Sequence, residues 1–135
     1  IATMAQGACY VTQELLMFQE PMRALRDYFE QQLMQKHPTV TINGQGPRIA
    51  NTSNLCFQDV DGEALLMYLD LHGVAASLGS ACSSGAIEPS RVLINMGLTR
   101  KQALASLRFS LSRYTTKEDI DHTLHVMYKY LEQVR

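Results

Sequence analysis

The stretch TVTINGQGPRIANTSNLCF, residues 39–57, predicts the start of a small β-sheet. Its β-branched segment Thr39–Ile42 is typical of a short strand, NGQGP indicates a turn, and Arg48–Phe57 is a second extended segment. Because only a turn separates the two segments, we expect them to be neighbours in one sheet.

Amphipathic helices are predicted at both ends of the chain. On the amino-terminal side, apolar residues recur at helical spacing up to Phe18, Pro21 is expected to interrupt the helix, and the spacing then resumes from Met22 to Leu33. On the carboxyl-terminal side, Thr116–Asp119 is a helix-start signal. The last helix then carries a second apolar stripe, formed by Ile120, Leu124, Met127, Leu131 and Val134.

Two further strands and three shorter helices are predicted between these regions. The strands are Val74–Ser77 and Ser106–Leu111. The helices are one capped by Asp59 or Asp61 and ended by Gly73, one opened by Pro89 and Ser90 and stopped by Gly97, and one begun by the capping box Thr99–Gln102. This alternation predicts an α/β fold of the α+β sandwich type, with a small mixed sheet of three to four short strands covered by helices on one face.

Length and charge limit the function classes. The chain has 135 residues, so residues 1–135 are predicted to form a single domain. Its net charge is −1 and it contains no lysine/arginine tract, which argues against a nucleic-acid partner. No apolar run approaches the roughly 20 residues that a membrane-spanning helix needs. Because the chain begins at Ile1 rather than methionine, we expect it to be part of a longer polypeptide.

The three cysteines, Cys9, Cys56 and Cys82, are odd in number and far apart. This pattern argues against a disulfide framework or a structural zinc site and favours a reducing compartment, such as the cytoplasm. Cys9 and Cys56 lie within predicted elements and are interpreted as core packing. Cys82 lies instead among small residues, in GSACSSG at 79–85.

Two interpretations of Cys82 follow from that context. It is either an exposed cysteine in a serine- and glycine-rich loop, or a nucleophilic thiol on a flexible arm that visits more than one site. An unperturbed thiol has a pKa of about 8.5, so a nucleophile would need help from a cation or a helix terminus. Arg91 and the helix start at Pro89 lie close by in sequence.

Other polar side chains also allow two interpretations. Arg108 is a charge within the otherwise apolar SLRFSL, and it either faces water or grips a carboxylate with its planar fork. Arg113 is interpreted as a surface residue. His122 and His125 are three positions apart on the last helix, but no third ligand is near in sequence, so solvent exposure is favoured over metal binding.

The motifs SLGSACSSGAIEPSRVL (77–93) and SLRFSLSRYTTKEDID (106–121) resemble the C-terminal part of the NifS/IscS-type cysteine desulfurases. These are pyridoxal-phosphate enzymes of the class V aminotransferase group, and the resemblance covers nearly the whole chain. It implies the small C-terminal domain of a fold-type I pyridoxal-phosphate enzyme.

The resemblance also implies roles for two residues. Cys82 matches the catalytic cysteine, which attacks the sulfur of cofactor-bound L-cysteine, leaves alanine and keeps the sulfur as a persulfide. Arg108 matches the arginine that binds the α-carboxylate of the substrate. The implied cofactor is pyridoxal 5′-phosphate, and the implied partners are L-cysteine, an iron–sulfur scaffold or other sulfur acceptor, and a second copy of the enzyme in a homodimer.

The chain departs from the family pattern in three respects. Nothing in it matches the cofactor-binding lysine and its preceding histidine, which belong to a large N-terminal domain, so the chain alone is expected to be inactive. RIANTSN lacks the proline that the family often has before the asparagine. The chain ends at Arg135, whereas some members carry a further tail that helps to dock the scaffold.

Two alternatives to the desulfurase interpretation remain open. The chain could be a stand-alone persulfide carrier or interaction module that receives sulfur on Cys82 from another enzyme. It could also be a remnant of the fold that only mediates subunit contacts.

Overall fold

The computed structural model describes the backbone of residues 2–79 and 88–134 and the side chains of residues 17–79 and 88–134. These residues form five helices and four strands. In chain order they are α1 (Ala2–Lys36), β1 (Val40–Ile42), β2 (Thr52–Phe57), α2 (Gly62–Leu71), β3 (Ser77–Leu78), α3 (Arg91–Asn95), α4 (Arg100–Leu104), β4 (Ser106–Ser110) and α5 (Lys117–Gln133).

The four strands form one sheet in the order β1-β2-β4-β3, which confirms the predicted fold class and strand number. Each of the three pairings is antiparallel, so the expectation of a mixed sheet was wrong in this respect. The reason is the position of β4. The strands β2 and β3 are joined through α2 and run in the same direction, but β4 lies between them and removes the parallel pairing that such a connection normally makes.

The hydrophobic core lies on one face of the sheet. Leu107 and Phe109 of β4 and Leu55 of β2 point to this face and are almost completely buried. Phe109 meets Phe29 of α1 edge to face, with ring centroids 5.1 Å apart. The helices α1, α2 and α5 contribute most of the other buried side chains, which include Leu33, Leu65, Leu69, Leu124 and Met127. The described part of the first predicted stripe and most of the second therefore pack in the core, whereas Val134 follows the last helical residue and is exposed.

The opposite face of the sheet is polar and only partly covered. The short helix α4 closes one end of it, where the Ser106 hydroxyl donates to the Gln102 carbonyl oxygen at 2.6 Å and Cys56 is buried. Away from α4, Asn54 is half-buried, and Arg108 and Ser110 are exposed. Coverage by helices is thus concentrated on one face, as predicted, with α4 as an addition on the other.

The first helix differs from its prediction, because α1 is continuous through Pro21 instead of being interrupted there. An interior proline removes one hydrogen bond and crowds the preceding turn. Here Pro21 and Met17 are both exposed, so the carbonyl that lacks a donor lies on the solvent side of the helix. No helix within the described ranges is both long and apolar enough to cross a membrane.

Most of the predicted helix-start signals are present. The side chain of Asp61, rather than Asp59, caps α2 by accepting hydrogen bonds from the backbone N–H groups of Glu63 and Ala64. Asp59 has a φ of 61° and belongs to the turn before the cap. The capping boxes at the starts of α4 and α5 are both formed. The third strand comes slightly later than predicted, at Ser77–Leu78.

Ser53 leads to a prediction about stability. Its side chain is fully buried on the core face of β2, and its hydroxyl has no hydrogen-bond partner among the described residues. Because an unpaired buried hydroxyl is unfavourable, Ser53→Ala is expected to raise the free energy of unfolding by about 1 kcal/mol in urea denaturation. Ser106→Ala is the matched control and should lower it by about 1 kcal/mol, since the Ser106 hydroxyl is hydrogen-bonded. Equal losses in both variants would contradict this account of Ser53.

Candidate functional site

A row of four polar residues crosses the open face of the sheet. Arg108 of β4 is paired with Asn54 of β2 on one side and with Ser77 of β3 on the other. Asn43, directly after β1, extends the row because its backbone N–H donates to the Asn54 carbonyl oxygen at 2.8 Å. Directly opposed residues of antiparallel strands project to the same face. We call Asn43, Asn54, Arg108 and Ser77 the polar row.

Successive side chains along a strand point to opposite faces of the sheet, which explains why the polar row faces away from the core. In β4, Leu107 and Phe109 are buried on the helical face, so Arg108 between them must point to the other face. In β2, Ser53 and Leu55 are buried in the same way on either side of Asn54. The burial of the apolar neighbours therefore fixes the direction of Arg108 and Asn54.

The Arg108 guanidinium is largely uncommitted. Its Nη2 lies 3.4 Å from the Ser77 hydroxyl oxygen, which is a long hydrogen bond. Within residues 17–79 and 88–134, no carboxylate forms an ion pair with Arg108. An exposed guanidinium with free donors, held on a rigid strand, can accept a carboxylate in two parallel hydrogen bonds.

The other half of the polar row is tightly hydrogen-bonded. The Asn43 side-chain amide donates to Oδ1 of Asn54 at 2.7 Å and to the Ser106 hydroxyl oxygen at 2.9 Å. The Ser106 hydroxyl in turn donates to the Gln102 carbonyl oxygen, so the chain of bonds ends on α4. The amide nitrogen of Asn54 has no acceptor in the described part of the chain. Sequence reasoning missed Asn43 and Asn54, because only strand register brings them next to Arg108.

Cys82 lies outside the described residues, so its predicted role as a nucleophile stays a prediction. The described chain ends at Gly79, directly after β3, and resumes at Glu88. Glu88 pairs with Arg100 at 3.6 Å, and the Ser90 side chain caps α3. Arg91, at the start of α3, is exposed.

Cys56 is a buried free thiol, which confirms its interpretation as a core residue. Only 2% of the residue is exposed, and its sulfur lies 3.6 Å from the Gln102 carbonyl oxygen. Burial raises the pKa of the Cys56 thiol, against the opposing effect of hydrogen bonds from Ser106 and Thr41. The thiol therefore stays protonated near neutral pH, which is unsuitable for a nucleophile. The side chain of Cys9 is outside the described residues.

The remaining candidates lie at the surface. His122 and His125 are both exposed on α5, and Nε2 of His122 is 3.0 Å from the His72 carbonyl oxygen. Among the described residues, no group of three or more His, Cys, Asp or Glu side chains could hold a metal ion. Arg113 is exposed, with its guanidinium 4.9 Å from the centre of the Tyr114 ring, so its interpretation as a surface residue is confirmed.

The chain belongs to the class V aminotransferase family, whose model matches residues 1–123. Within this family its similarity is to cysteine desulfurases. A cysteine desulfurase of a Nostoc species is 46% identical over 112 residues, which cover 82% of this chain and 28% of that protein. The cysteine desulfurase NifS of Azotobacter vinelandii is 41% identical over 115 residues, covering 84% and 29%. The chain therefore spans less than a third of the length of these relatives.

Solved structures agree with this assignment. The NifS-like protein of Rickettsia africae superposes with a TM-score of 0.70 at 28% identity, covering 82% of this chain and 28% of the other. A second NifS-like protein gives a TM-score of 0.78 at 25% identity, covering 92% and 31%. The matched part of the curated relatives is their C-terminal portion. The resemblance to the C-terminal part of NifS/IscS-type desulfurases is thus confirmed.

Class V aminotransferases generally use pyridoxal phosphate, and a lysine of the enzyme forms a Schiff base with this cofactor. A lysine that forms a Schiff base reacts as a neutral amine, which requires desolvation or a nearby cation. All four lysines are exposed instead, and Lys36, Lys101 and Lys117 are in ion pairs. The carboxylate partners raise the pKa of Lys101 and Lys117. These residues do not fit the cofactor's lysine site.

Proposed function

We propose that this chain is the catalytic-cysteine domain of a pyridoxal-phosphate-dependent cysteine desulfurase, which converts L-cysteine to L-alanine and holds the sulfur as a persulfide on Cys82. The observation that carries the proposal is the uncommitted Arg108 at the centre of the open sheet face, in a chain of this family. Arg108 is next to Ser77, and Ser77 precedes Cys82 by five residues.

Arg108 is proposed to bind the α-carboxylate of L-cysteine. Its neighbours on both sides in the polar row are neutral, so no negative charge from them competes for the guanidinium. A guanidinium presents parallel N–H groups that match the two oxygens of a carboxylate, and such pairs fix orientation as well as affinity. The substrate would thus be held by one end, with its sulfur directed away from the sheet.

The short segment between Ser77 and Cys82 supports a role for Cys82 near this site. Five residues of fully extended chain span at most about 18 Å, so Cys82 is tethered within that distance of Ser77. In the proposed reaction, the Cys82 thiolate attacks the sulfur of L-cysteine and a sulfur–sulfur bond forms. The carbon–sulfur bond of the substrate breaks, and the carbon takes a proton to give alanine. No external oxidant is needed, because the substrate carbon keeps the electron pair of the broken bond while the two sulfur atoms are oxidised to the persulfide.

The cofactor is assigned to another domain, because the four lysines here are at the surface. In this proposal the chain is the small C-terminal domain of a longer enzyme, and the chain alone is inactive. The proposed assembly is a homodimer that passes sulfur to an iron–sulfur scaffold or another acceptor protein. A reducing compartment such as the cytoplasm suits a reaction that needs a free thiol.

A second candidate function is favoured by the same lysine observation. A chain without a suitable lysine could act as a persulfide carrier that is loaded on Cys82 by a separate desulfurase. The two candidates differ in whether alanine is formed by the protein that contains this chain.

Mass spectrometry of cysteine-containing peptides tests the proposal. After incubation of the intact enzyme with L-cysteine, we expect alanine release and one added sulfur atom on the Cys82 peptide, with the buried Cys56 peptide as the unmodified internal control. The 135-residue chain alone, given pyridoxal phosphate and L-cysteine, should release no alanine. Sulfur on Cys82 only after a separate desulfurase is added would favour the carrier, and no sulfur on Cys82 in any case would overturn both candidates.

A further inference from the structure

We propose that Asn54 is a second ligand for the substrate carboxylate, and that Asn43 and Ser106 position it. This inference rests on the proposed function and names a residue that the family resemblance did not assign. It follows from the two features of the polar row that Arg108 alone does not explain, which are the pairing of Asn54 with Arg108 and the fixed orientation of the Asn54 amide.

The pairing places the two side chains within reach of one ligand. Directly opposed residues of antiparallel strands have Cβ atoms about 4.5–5.5 Å apart. A carboxylate has two oxygens with about four acceptor positions, and a guanidinium occupies only two of them. An amide N–H next to Arg108 can therefore bind the same carboxylate at an oxygen position that the arginine leaves open.

The hydrogen bonds decide which end of the Asn54 amide is available. Asn43 can only donate through its Nδ2, and it does so to Oδ1 of Asn54 at 2.7 Å. The acceptor of Asn54 is thus occupied, and its donor, Nδ2, is left without an acceptor in the described part of the chain. The opposite orientation would direct an oxygen at the carboxylate and repel it. The arrangement selects a donor for an anionic ligand.

The hydrogen bonds that hold this orientation of the Asn54 amide lead to a buried part of the fold. The second hydrogen bond of the Asn43 amide goes to the hydroxyl oxygen of Ser106, which is only 2% exposed. Ser106 donates in turn to the Gln102 carbonyl oxygen of α4 at 2.6 Å. Because the buried, hydrogen-bonded Ser106 holds its geometry and binds the half-buried Asn43, both act as positioning residues that do not themselves touch the substrate.

Asn54→Asp separates a ligand role from a structural role. The aspartate keeps an oxygen that accepts from Asn43, so the structural hydrogen bond survives, but the donor aimed at the substrate becomes an acceptor. In the intact enzyme we expect the KM for L-cysteine to rise roughly 100-fold or more while the thermal midpoint stays unchanged. Asn54→Ala should raise KM about tenfold or more with a smaller effect on kcat. This is expected for a contact that is equally strong in the substrate complex and in the transition state.

Three comparison variants complete the experiment. Asn43→Ala should raise KM by less than Asn54→Ala, because it only loosens the Asn54 amide. Ser110→Ala is the matched control on the same face, away from the polar row, and should leave KM unchanged. Arg108→Met should raise KM at least about 100-fold.

The outcomes separate this inference from the proposed function. If Arg108→Met raises KM while Asn54→Ala matches the wild type, the ligand role of Asn54 is wrong and the proposed function stands, even if the new carboxylate of Asn54→Asp raises KM by pairing with Arg108. If Arg108→Met has no effect on KM, or the wild-type enzyme releases no alanine, the proposed function fails and the inference fails with it. A loss of thermal stability in Asn54→Asp together with unchanged KM would assign Asn54 a purely structural role.

Discussion

Cys82→Ser is expected to abolish alanine release from L-cysteine by the intact enzyme, with a loss of at least about 10³-fold in kcat. A serine hydroxyl stays protonated near neutral pH and cannot form the sulfur–sulfur bond that takes sulfur from the substrate. The measurement is the rate of alanine formation at saturating L-cysteine, with a small thiol reductant present as sulfur acceptor. Substrate binding should be unaffected, because Arg108 is intact.

Cys56→Ala is the matched control for this experiment. Cys56 is buried and its thiol pKa is raised, so its sulfur should take no part in the reaction. We expect a rate within about twofold of wild type, and a modest loss of stability from the small cavity. Unchanged turnover in Cys82→Ser would refute the assignment of the nucleophile, and a loss confined to Cys56→Ala would transfer the role to that residue.

Glu30→Ala is expected to lower the free energy of unfolding of the chain by about 3–5 kcal/mol. Glu30 is buried on α1 and accepts two hydrogen bonds from the Arg48 guanidinium, at 2.7 and 2.8 Å. This bidentate pair joins α1 to the segment that leads into β2. Removal of the carboxylate leaves the Arg48 charge without its partner in a half-buried position, which is the costly part of the change. Urea denaturation monitored by circular dichroism gives the value.

Two further variants make this prediction specific. Glu30→Met combined with Arg48→Met should recover most of the loss, because an apolar pair of similar volume removes both charges together. Lys101→Ala breaks the exposed ion pair with Asp59, in which the side chains are 77% and 83% exposed. It should cost far less than Glu30→Ala, because solvent and salt screen an exposed pair. An equal cost for Glu30→Ala and Lys101→Ala would show that burial does not strengthen the Glu30–Arg48 pair.

Local signals in the sequence predicted the helices well. The capping boxes at Thr99 and Thr116 and the apolar stripe of α5 depend on residues only three or four positions apart, and the structure contains both boxes and the whole stripe except Val134. Such short-range patterns are fixed by the geometry of a helical turn. The predicted interruption at Pro21 was wrong, because whether a proline breaks a helix depends on which side of the helix faces solvent.

The sheet shows where local reasoning ends. The position of β4 between β2 and β3 depends on pairing between distant segments, and no short motif encodes it. The same limit applies to the polar row. Arg108 was found because a charge interrupts an apolar strand, whereas Asn43 and Asn54 are ordinary turn and strand residues until the register places them beside it. Cys82 was predicted as the nucleophile from its small neighbours and from the family resemblance, and it lies outside the described residues.

The central position of β4 also has a consequence for how the protein is made. β4 contributes two of the three strand pairings, yet among the four described strands it is the last to leave the ribosome. A nascent chain that ends before Ser106 can form the β1–β2 hairpin, but it leaves an unpaired edge on β2 and gives β3 no strand to pair with. The polar row is therefore assembled in a single late step, and premature termination yields an aggregation-prone product without a partial site.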